Sequence, residues 1–383
     1  MAPTATAPHA RGERRGSRAA HRSDGVTDDR AEPFAPAIHG STLGPVAVRL
    51  RGLARERAGD PDFGLEIGSL VPEAFPLPGS GSTAMLWEAL ASVAAGDLTV
   101  ARALEPHLDA TAILAEAGAS GLDVPRVHDG QTWGVFAAEG PGTRLTAASP
   151  ASGEPGPARL SGTKPWCSLA GTLSHALVTA WCDDEHRRLY AVDLRTDATH
   201  VEPVPWVARG LSAVPSGPVA FDEAEAVPIG EPGWYLARPG FAWGGIGVAA
   251  VWFGGACAVA ARLFEQCLRR TPDQVALMHL GAVDAALHAA SATLADAART
   301  VDAGEAVGDD GARLALRVRR VVADAVDEVL GHVDHALGPG PLALEEEHAA
   351  RVADLRLYVR QEHAERDAAA LGRSLLEASG VTP

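Results

Sequence analysis

The residues that promise chemistry lie in one stretch, Leu160-Ser-Gly-Thr-Lys-Pro-Trp166-Cys-Ser168, followed closely by the apolar run Ala176-Leu-Val-Thr-Ala-Trp181. Ser161-Gly162 and Lys164-Pro165 are turn punctuation, and they bracket a Trp and a hydroxyl two residues apart on a predicted strand. Residues at i and i+2 of a strand face one side. A flat aromatic and a hydrogen-bonding group so placed suit a planar heteroaromatic ligand. The competing reading makes Trp166 a core residue and Ser168 a loop cap. A second candidate cluster pairs His332 with His335, three apart on one helical face near Asp327 and Asp334. Without a further placed ligand it reads as a polar helix end, and no metal site is assigned. His107, alone on a helix, reads as structural.

Elements of three kinds must position these residues. The region 44–125 reads as helical. It has an amphipathic piece from Val46 to Arg57, an interruption at Asp60-Pro61, an N-cap at Ser82-Thr83 and a long helix from Leu98 to Ala117. From about residue 126 short β-like runs follow, at Val135–Ala138, Arg159-Leu160, Ala176–Trp181, Leu189–Asp193 and Pro218–Phe221. Separated by Gly, Pro, Asp and Ser, they indicate a small antiparallel barrel or sandwich. After the turn-rich Pro228–Gly233, four long helices are expected over roughly 242–269, 273–303, 311–336 and 344–377, a four-helix bundle. The fold class is α+β. The expected units are a disordered tail over 1–40, a helical domain over 41–125, a β-barrel domain over 126–228 and the bundle over 229–383.

Composition narrows the function. The chain of 383 residues is globular in makeup, 46% hydrophobic and 21% charged, with a formal net charge of -16. Such a balance argues against general nucleic-acid binding, which needs clustered cations. Cys167, Cys182, Cys257 and Cys267 form no C-x-x-C pair, which points to buried thiols in a reducing, cytoplasmic compartment. The uncharged stretch from Pro239 to Ala261 is long enough to cross a bilayer. Its Gly and Ala content and its internal Trp243 and Trp252 favour a buried central helix, so no membrane is expected.

In this order, these residues resemble the acyl-CoA dehydrogenase family of flavoenzymes, over nearly the whole chain from about 45 to 377. Leu160–Ser168 is similar to the family's G-x-K-x-W-x-T/S element. The resemblance implies that Trp166 packs on the flavin ring and Ser168 hydrogen-bonds near flavin N5. Gly210–Ser216, Val219–Asp222 and Val227-Pro228 resemble the stretch that follows it in the family. The family's T-E-P-x-x-G-S-D element falls on Ala137–Arg144. There Ala138 replaces a flavin-contacting threonine and leaves only a backbone contact beside Glu139; a plain β turn explains the same residues.

The family's proton-abstracting glutamate, in Y-x-x-Y-E-G-T, falls on Glu362, with His363-Ala364 in place of Gly-Thr. A carboxylate can take an α-proton if desolvation raises its pKa. An i,i+4 ion pair with Arg366 on a solvated helix would depress it instead, and His363 is the other acid/base candidate. The elements that hold the adenine end of FAD across a subunit interface fall on Arg270, and on His335, Gly338 and Gly340. Glycine there would admit a pyrophosphate, and Gly-Pro-Gly-Pro is equally an ordinary turn. The resemblance implies FAD, α,β-desaturation of an acyl thioester, and electrons leaving through an electron-transferring flavoprotein or oxygen. It also implies a homodimer or homotetramer, in which the uncharged helix would be buried. Two alternatives stay open: a reduced-flavin-dependent monooxygenase on the same fold, and a degenerate non-catalytic scaffold.

Overall fold

The computed structural model describes residues 34–38, 42–149 and 157–380, and these belong to one compact unit, Pro33–Pro383. Residues 1–33 of the expected tail lie outside the described residues. The tail does not extend to residue 40, however. Phe34 and Ile38 are buried. The Phe34 ring meets Phe264 edge-on at 6.1 Å, Ile38 N–H donates to Glu88 at 2.9 Å, and the Ser291 hydroxyl donates to the Ala37 carbonyl at 2.7 Å. Two apolar anchors plus satisfied backbone groups hold this segment against the helices.

Four helices come first: α1 (Pro45–Glu56), α2 (Pro61–Leu70), α3 (Thr83–Gly96) and α4 (Leu98–Ala119). Asp60 and Asp97 cap α2 and α4, accepting from Phe63 N–H and Val100 N–H. The start of α3 departs from expectation, because Ser82 makes no side-chain cap. Asp302, from a distant helix, takes that role. It accepts from Thr83 N–H at 3.0 Å and from the Thr83 hydroxyl at 2.6 Å.

Seven strands follow: β1 (Trp133–Phe136), β2 (Leu145–Ala148), β3 (Ala158–Ser168), β4 (His175–Trp181), β5 (Arg187–Asp193), β6 (Thr199–Val201) and β7 (Ser216–Ile229). The pairings β4–β2, β2–β3, β3–β7, β7–β5 and β5–β4 close a ring, so the sheet is a small barrel. It is not wholly antiparallel. β1 and β2 each pair with β4 in parallel. The long connection from β2 through β3 back to β4 makes that possible, and strand composition carries no signal for it.

The C-terminal half is helical: α5 (Trp234–Ala237), α6 (Pro239–Arg269), α7 (Gln274–Asp302), α8 (Gly308–Leu337), α9 (Pro339–Leu344), α10 (Glu346–Tyr358) and α11 (Glu365–Ala378). The fourth expected helix is broken. A 3₁₀ turn at Val359–Gln361 and Ala364 at φ +49° separate α10 from α11. The helix α6, uncharged as far as Ala261, is the centre of the core, with Ile246, Trp252 and Ala256 fully buried within this one chain. Its burial therefore needs no second copy, and that ground for an oligomer is removed. Instead the first turn of α7 exposes Val275, Leu277 and Met278.

Close backbone approach fixes how these layers meet. A Cβ on Gly254 of α6 would lie 2.0 Å from the Ala91 carbonyl of α3. One on Gly210, in the loop leading to β7, would lie 2.0 Å from the Ala353 carbonyl of α10, where Leu211 N–H also donates to Asp354 at 2.5 Å. Backbone cannot yield to that overlap. Gly210→Ala is therefore expected to cost about 2 kcal/mol of stability, as overpacked sites do, read from the urea midpoint.

Candidate active site

The long strand β3 brings its chemistry to the surface through a defect. Its register against β7 shifts between Lys164 and Cys167, so Pro165 and Trp166 form a bulge. Alternation resumes from there, with Trp166 exposed, Cys167 buried and Ser168 half-buried. Trp166 is not a core residue. It is 61% exposed and adopts φ +59°. A bulky non-glycine residue in the left-handed region costs on the order of 1–2 kcal/mol, and here no burial of its indole offsets that cost.

Ser168, at the end of β3, is half-buried and held. Its hydroxyl lies 2.7 Å from the Ser216 hydroxyl of β7 and accepts from Arg102 Nη2 at 3.1 Å. Arg102 stands on α4, and its Nη1 is buried without a hydrogen-bond partner. A buried unsatisfied guanidinium nitrogen is costly and marks a place where an acceptor is wanted.

Sequence reasoning overlooked the acids around this arginine. Arg102, Glu105 and Asp109 share one face of α4. Glu105 is 11% exposed, lies 3.9 Å from Arg102 Nη1 and accepts from the Tyr358 hydroxyl at 3.4 Å. Burial pushes Glu105 up to about 7, opposed by Arg102 and reinforced by Asp109. Burial likewise raises Asp109, against the pull of Arg238, whose Nη2 is 3.7 Å away. Arg319 of α8 donates to the Gly245 and Gln361 carbonyls and stacks 4.7 Å over Trp252. Glu105 and Asp109 line a narrow cleft of about 50 Å³ between the 75–78 loop, α3, α4 and α6. Its walls include Phe75, Leu86, Trp87, Leu90 and Trp243. An i, i+3, i+7 row of charges on an otherwise apolar helix was the available signal; charged rows usually face solvent.

The other expected site residues fall elsewhere. Glu362 is buried rather than on a solvated helix face, and it does not line the cleft. The helix is broken at this point, so the expected Glu362–Arg366 pairing is not formed. Glu362 Oε2 accepts from Ala364 N–H at 2.8 Å, and Oε1, 4.0 Å from Arg320 Nη1, is buried without a hydrogen-bond partner. His363 is exposed beside Asp367 at 3.4 Å. Glu139 is committed to the sheet: it accepts from Lys164 at 2.6 Å and from Arg187 at 3.0 Å, while its neighbour Ala138 is exposed. Arg270 and Gly340 are exposed, and Gly338 ends α8 at φ +66°. His335 stands 6.1 Å, ring to ring, from His279 of α7; His279 and His332 approach to 2.9 Å between their Nδ1 atoms. Among the described residues no group of three acids, thiols or imidazoles could hold a metal ion. His107 is structural, its Nδ1 accepting the Trp133 N–H at 3.2 Å.

No family model matches the chain, and no curated protein does. Solved structures do match. A KijD3 in complex with FMN and dTDP-3-amino-2,3,6-trideoxy-4-keto-3-methyl-D-glucose is 19% identical, at TM-score 0.68, over 93% of this chain and 98% of that one. Dibenzothiophene monooxygenase (TdsC) from Paenibacillus sp. A11-2 is 18% identical at TM-score 0.68, over 87% and 96%. A nitrososynthase from Micromonospora carbonacea var. africana is 18% identical at TM-score 0.68, over 85% and 94%. These likenesses, each over most of both chains, give this chain the acyl-CoA dehydrogenase fold.

Proposed function

We propose that the chain is a flavin-dependent monooxygenase that acts on a small molecule held in the α3/α4/α6 cleft. The observation that carries the flavin is Trp166. An exposed indole in a strained backbone conformation is a cost without return in the folded chain, and such strain collects at ligand sites. Beside it, Ser168 and Arg102 Nη1, which has no hydrogen-bond partner, offer donors to a flat ring rich in acceptors, so the residues fit a flavin. KijD3 and TdsC are each seen with FMN, which supports FMN ahead of FAD. A bound reduced flavin supplies two electrons to dioxygen, of which one oxygen atom enters the substrate and the other leaves as water. This chain's part is to hold the ring at Trp166 and Ser168, keep water out with the apolar walls, and move a proton at Glu105. Two copies would meet on the exposed apolar start of α7.

One observation favours the dehydrogenase reading as second. The buried Oε1 of Glu362, which has no hydrogen-bond partner, is a carboxylate oxygen available to an α-proton. That reading takes FAD, an acyl thioester and an electron-transferring flavoprotein. Bleaching of bound flavin by acyl-CoA without oxygen selects it; oxygen uptake with reduced FMN and no thioester selects the monooxygenase.

Flavin binding itself is tested by titrating the purified chain with FMN and with FAD and reading visible absorbance after gel filtration. Trp166→Gly is expected to weaken flavin binding about tenfold, a loss of about 1.4 kcal/mol, by removing an aromatic stacking partner. The same change is expected to raise the stability of the flavin-free chain by about 1 kcal/mol, because glycine adopts positive φ freely. A variant that loses stability and keeps flavin overturns the assignment.

A further inference from the structure

The helices α7 and α8 pack together along an apolar seam that turns polar at one end. Val283, Leu287 and Ala290 are buried on α7 at three- and four-residue steps, and Val326, Val329 and Val333 are buried on α8. The same period, carried one turn back on α7, falls on His279, which is 8% exposed. An imidazole where valine or leucine would pack is a cost unless its nitrogens are served. His332 of α8 serves one of them, with the two Nδ1 atoms 2.9 Å apart. The His335 ring, one turn further along α8, stands 6.1 Å from that of His279.

Such a pair is sensitive to the number of protons it carries. A neutral imidazole has one N–H and one acceptor nitrogen, whereas an imidazolium has two N–H groups and no acceptor. The His279–His332 bond therefore survives with no added proton or with one. With both rings protonated, two donors of like charge face each other and the bond is lost. Among the described residues, the groups acting on His279 are the two imidazoles of α8. The charged groups on the neighbouring elements are engaged elsewhere or lie in water. Glu88 of α3 accepts from Ile38 N–H, Glu265 and Arg269 of α6 pair with each other, and Arg262 is held by Glu345. On α8 itself Asp334 is spent on Arg356, and Glu328, one turn before His332, is exposed. On α7 Asp284 is exposed and Asp273 caps the helix start. Burial lowers the His279 pKa from its ordinary 6.5, and the neighbouring rings lower it further. A base whose folded value is depressed contributes stability above its ordinary value and loses it as pH falls below that value.

We propose that His279, His332 and His335 form a proton-operated latch, which fastens the start of α7 to the end of α8 and releases it when both paired rings are charged. The released segment begins with the turn that already exposes Val275, Leu277 and Met278. The latch shares no residue with the Trp166, Ser168 and Glu105 site, so it does not rest on the flavin reading.

The test is hydrogen–deuterium exchange on the whole chain at pH 7.5, 6.0 and 5.0, corrected for the intrinsic dependence of exchange on pH. Amides of 276–287 and 326–337 are expected to lose protection on acidification, by up to about tenfold per pH unit for each extra proton the open form binds. Helix α4, which carries no latch residue, should keep its protection over the same range. His332→Gln retains a hydrogen-bonding side chain for His279 and removes its titration, so protection at pH 5.0 should match that at pH 7.5. His279→Leu continues the apolar seam and should behave likewise. Should His279→Leu not fold, His332→Gln and the unaltered chain decide alone. Protection of the two segments that holds down to pH 5.0 overturns the proposal. So does an equal loss in His332→Gln, or a loss shared by α4, which is ordinary acid unfolding.

Discussion

Glu105→Gln is expected to make the protein more stable at pH 8 than the unaltered chain, and to leave it equally stable at pH 4. Burial raises the carboxyl from its ordinary 4.5 to about 7. The folded chain therefore binds that proton more tightly than the unfolded one. A raised carboxyl contributes fully below the unfolded value and loses its contribution as pH rises toward the folded value. The window is thus 4.5 to about 7, and the variant, neutral throughout, loses nothing across it. The difference at pH 8 is at most about 3 kcal/mol, taking 1.36 kcal/mol per pKa unit; Tyr358 still has an amide oxygen to donate to. Thermal denaturation from pH 4 to 9 reads the gap directly. Turnover of the substrate should fall about a hundredfold or more in the same variant, since a positioned proton-transfer group contributes on that scale. A gain in stability joined to a loss of activity is the mark of a group held in an unfavourable state for its chemistry. A merely structural Glu105 would lose stability at all pH values.

Much of the layout is legible in the sequence, and the reasons for what is not are local. The order of helices, short strands and helices follows from periodicity, and the burial of α6 follows from its uncharged run from Pro239 to Ala261. Trp166 and Ser168 stand out by residue type and by the turn signals around them. The face Trp166 presents does not, because a bulge moves a side chain without changing the composition of the strand. The break after Tyr358 has no Gly or Pro to announce it; Ala364 takes φ +49° under tertiary constraint. Asp302 caps α3 from more than two hundred residues away, which no local pattern records. Glu105 is the largest omission. Charged residues at helical spacing are ordinary on solvated faces, and only packing turns this row inward onto an apolar cleft.

Glu139→Gln is the second large effect expected, and it concerns the residue that spacing placed on the cofactor. Lys164 is the only lysine in the chain, and its side chain is 1% exposed. Elsewhere this sequence uses arginine for positive charge. A compact ammonium is what this position accepts: Nζ donates 2.6 Å to Glu139 and 2.9 Å to the Thr179 hydroxyl of β4 inside the barrel. Burial lowers the lysine pKa, opposed by the hydrogen bond and charge of Glu139. Breaking such a pair leaves a buried charge, at about 3–5 kcal/mol when both partners are sealed from water. Glu139 is 34% exposed and also serves Arg187, so about 2–3 kcal/mol is expected for Glu139→Gln. Lysine is a base with a depressed folded pKa, and losing Glu139 depresses it further. The variant can then escape the buried charge by releasing its proton, so the gap to the unaltered chain should narrow as pH rises from 7 toward 10. Lys164→Met should cost less than Glu139→Gln, because an apolar side chain of similar length leaves no charge behind. The double variant should cost less than the sum, which a urea-denaturation cycle measures. Since the bulge at Pro165-Trp166 is anchored by Lys164 on one side and Cys167 on the other, Glu139→Gln should also weaken flavin binding while touching no flavin. An unchanged flavin affinity would show that Trp166 is held in its strained conformation by the strand alone.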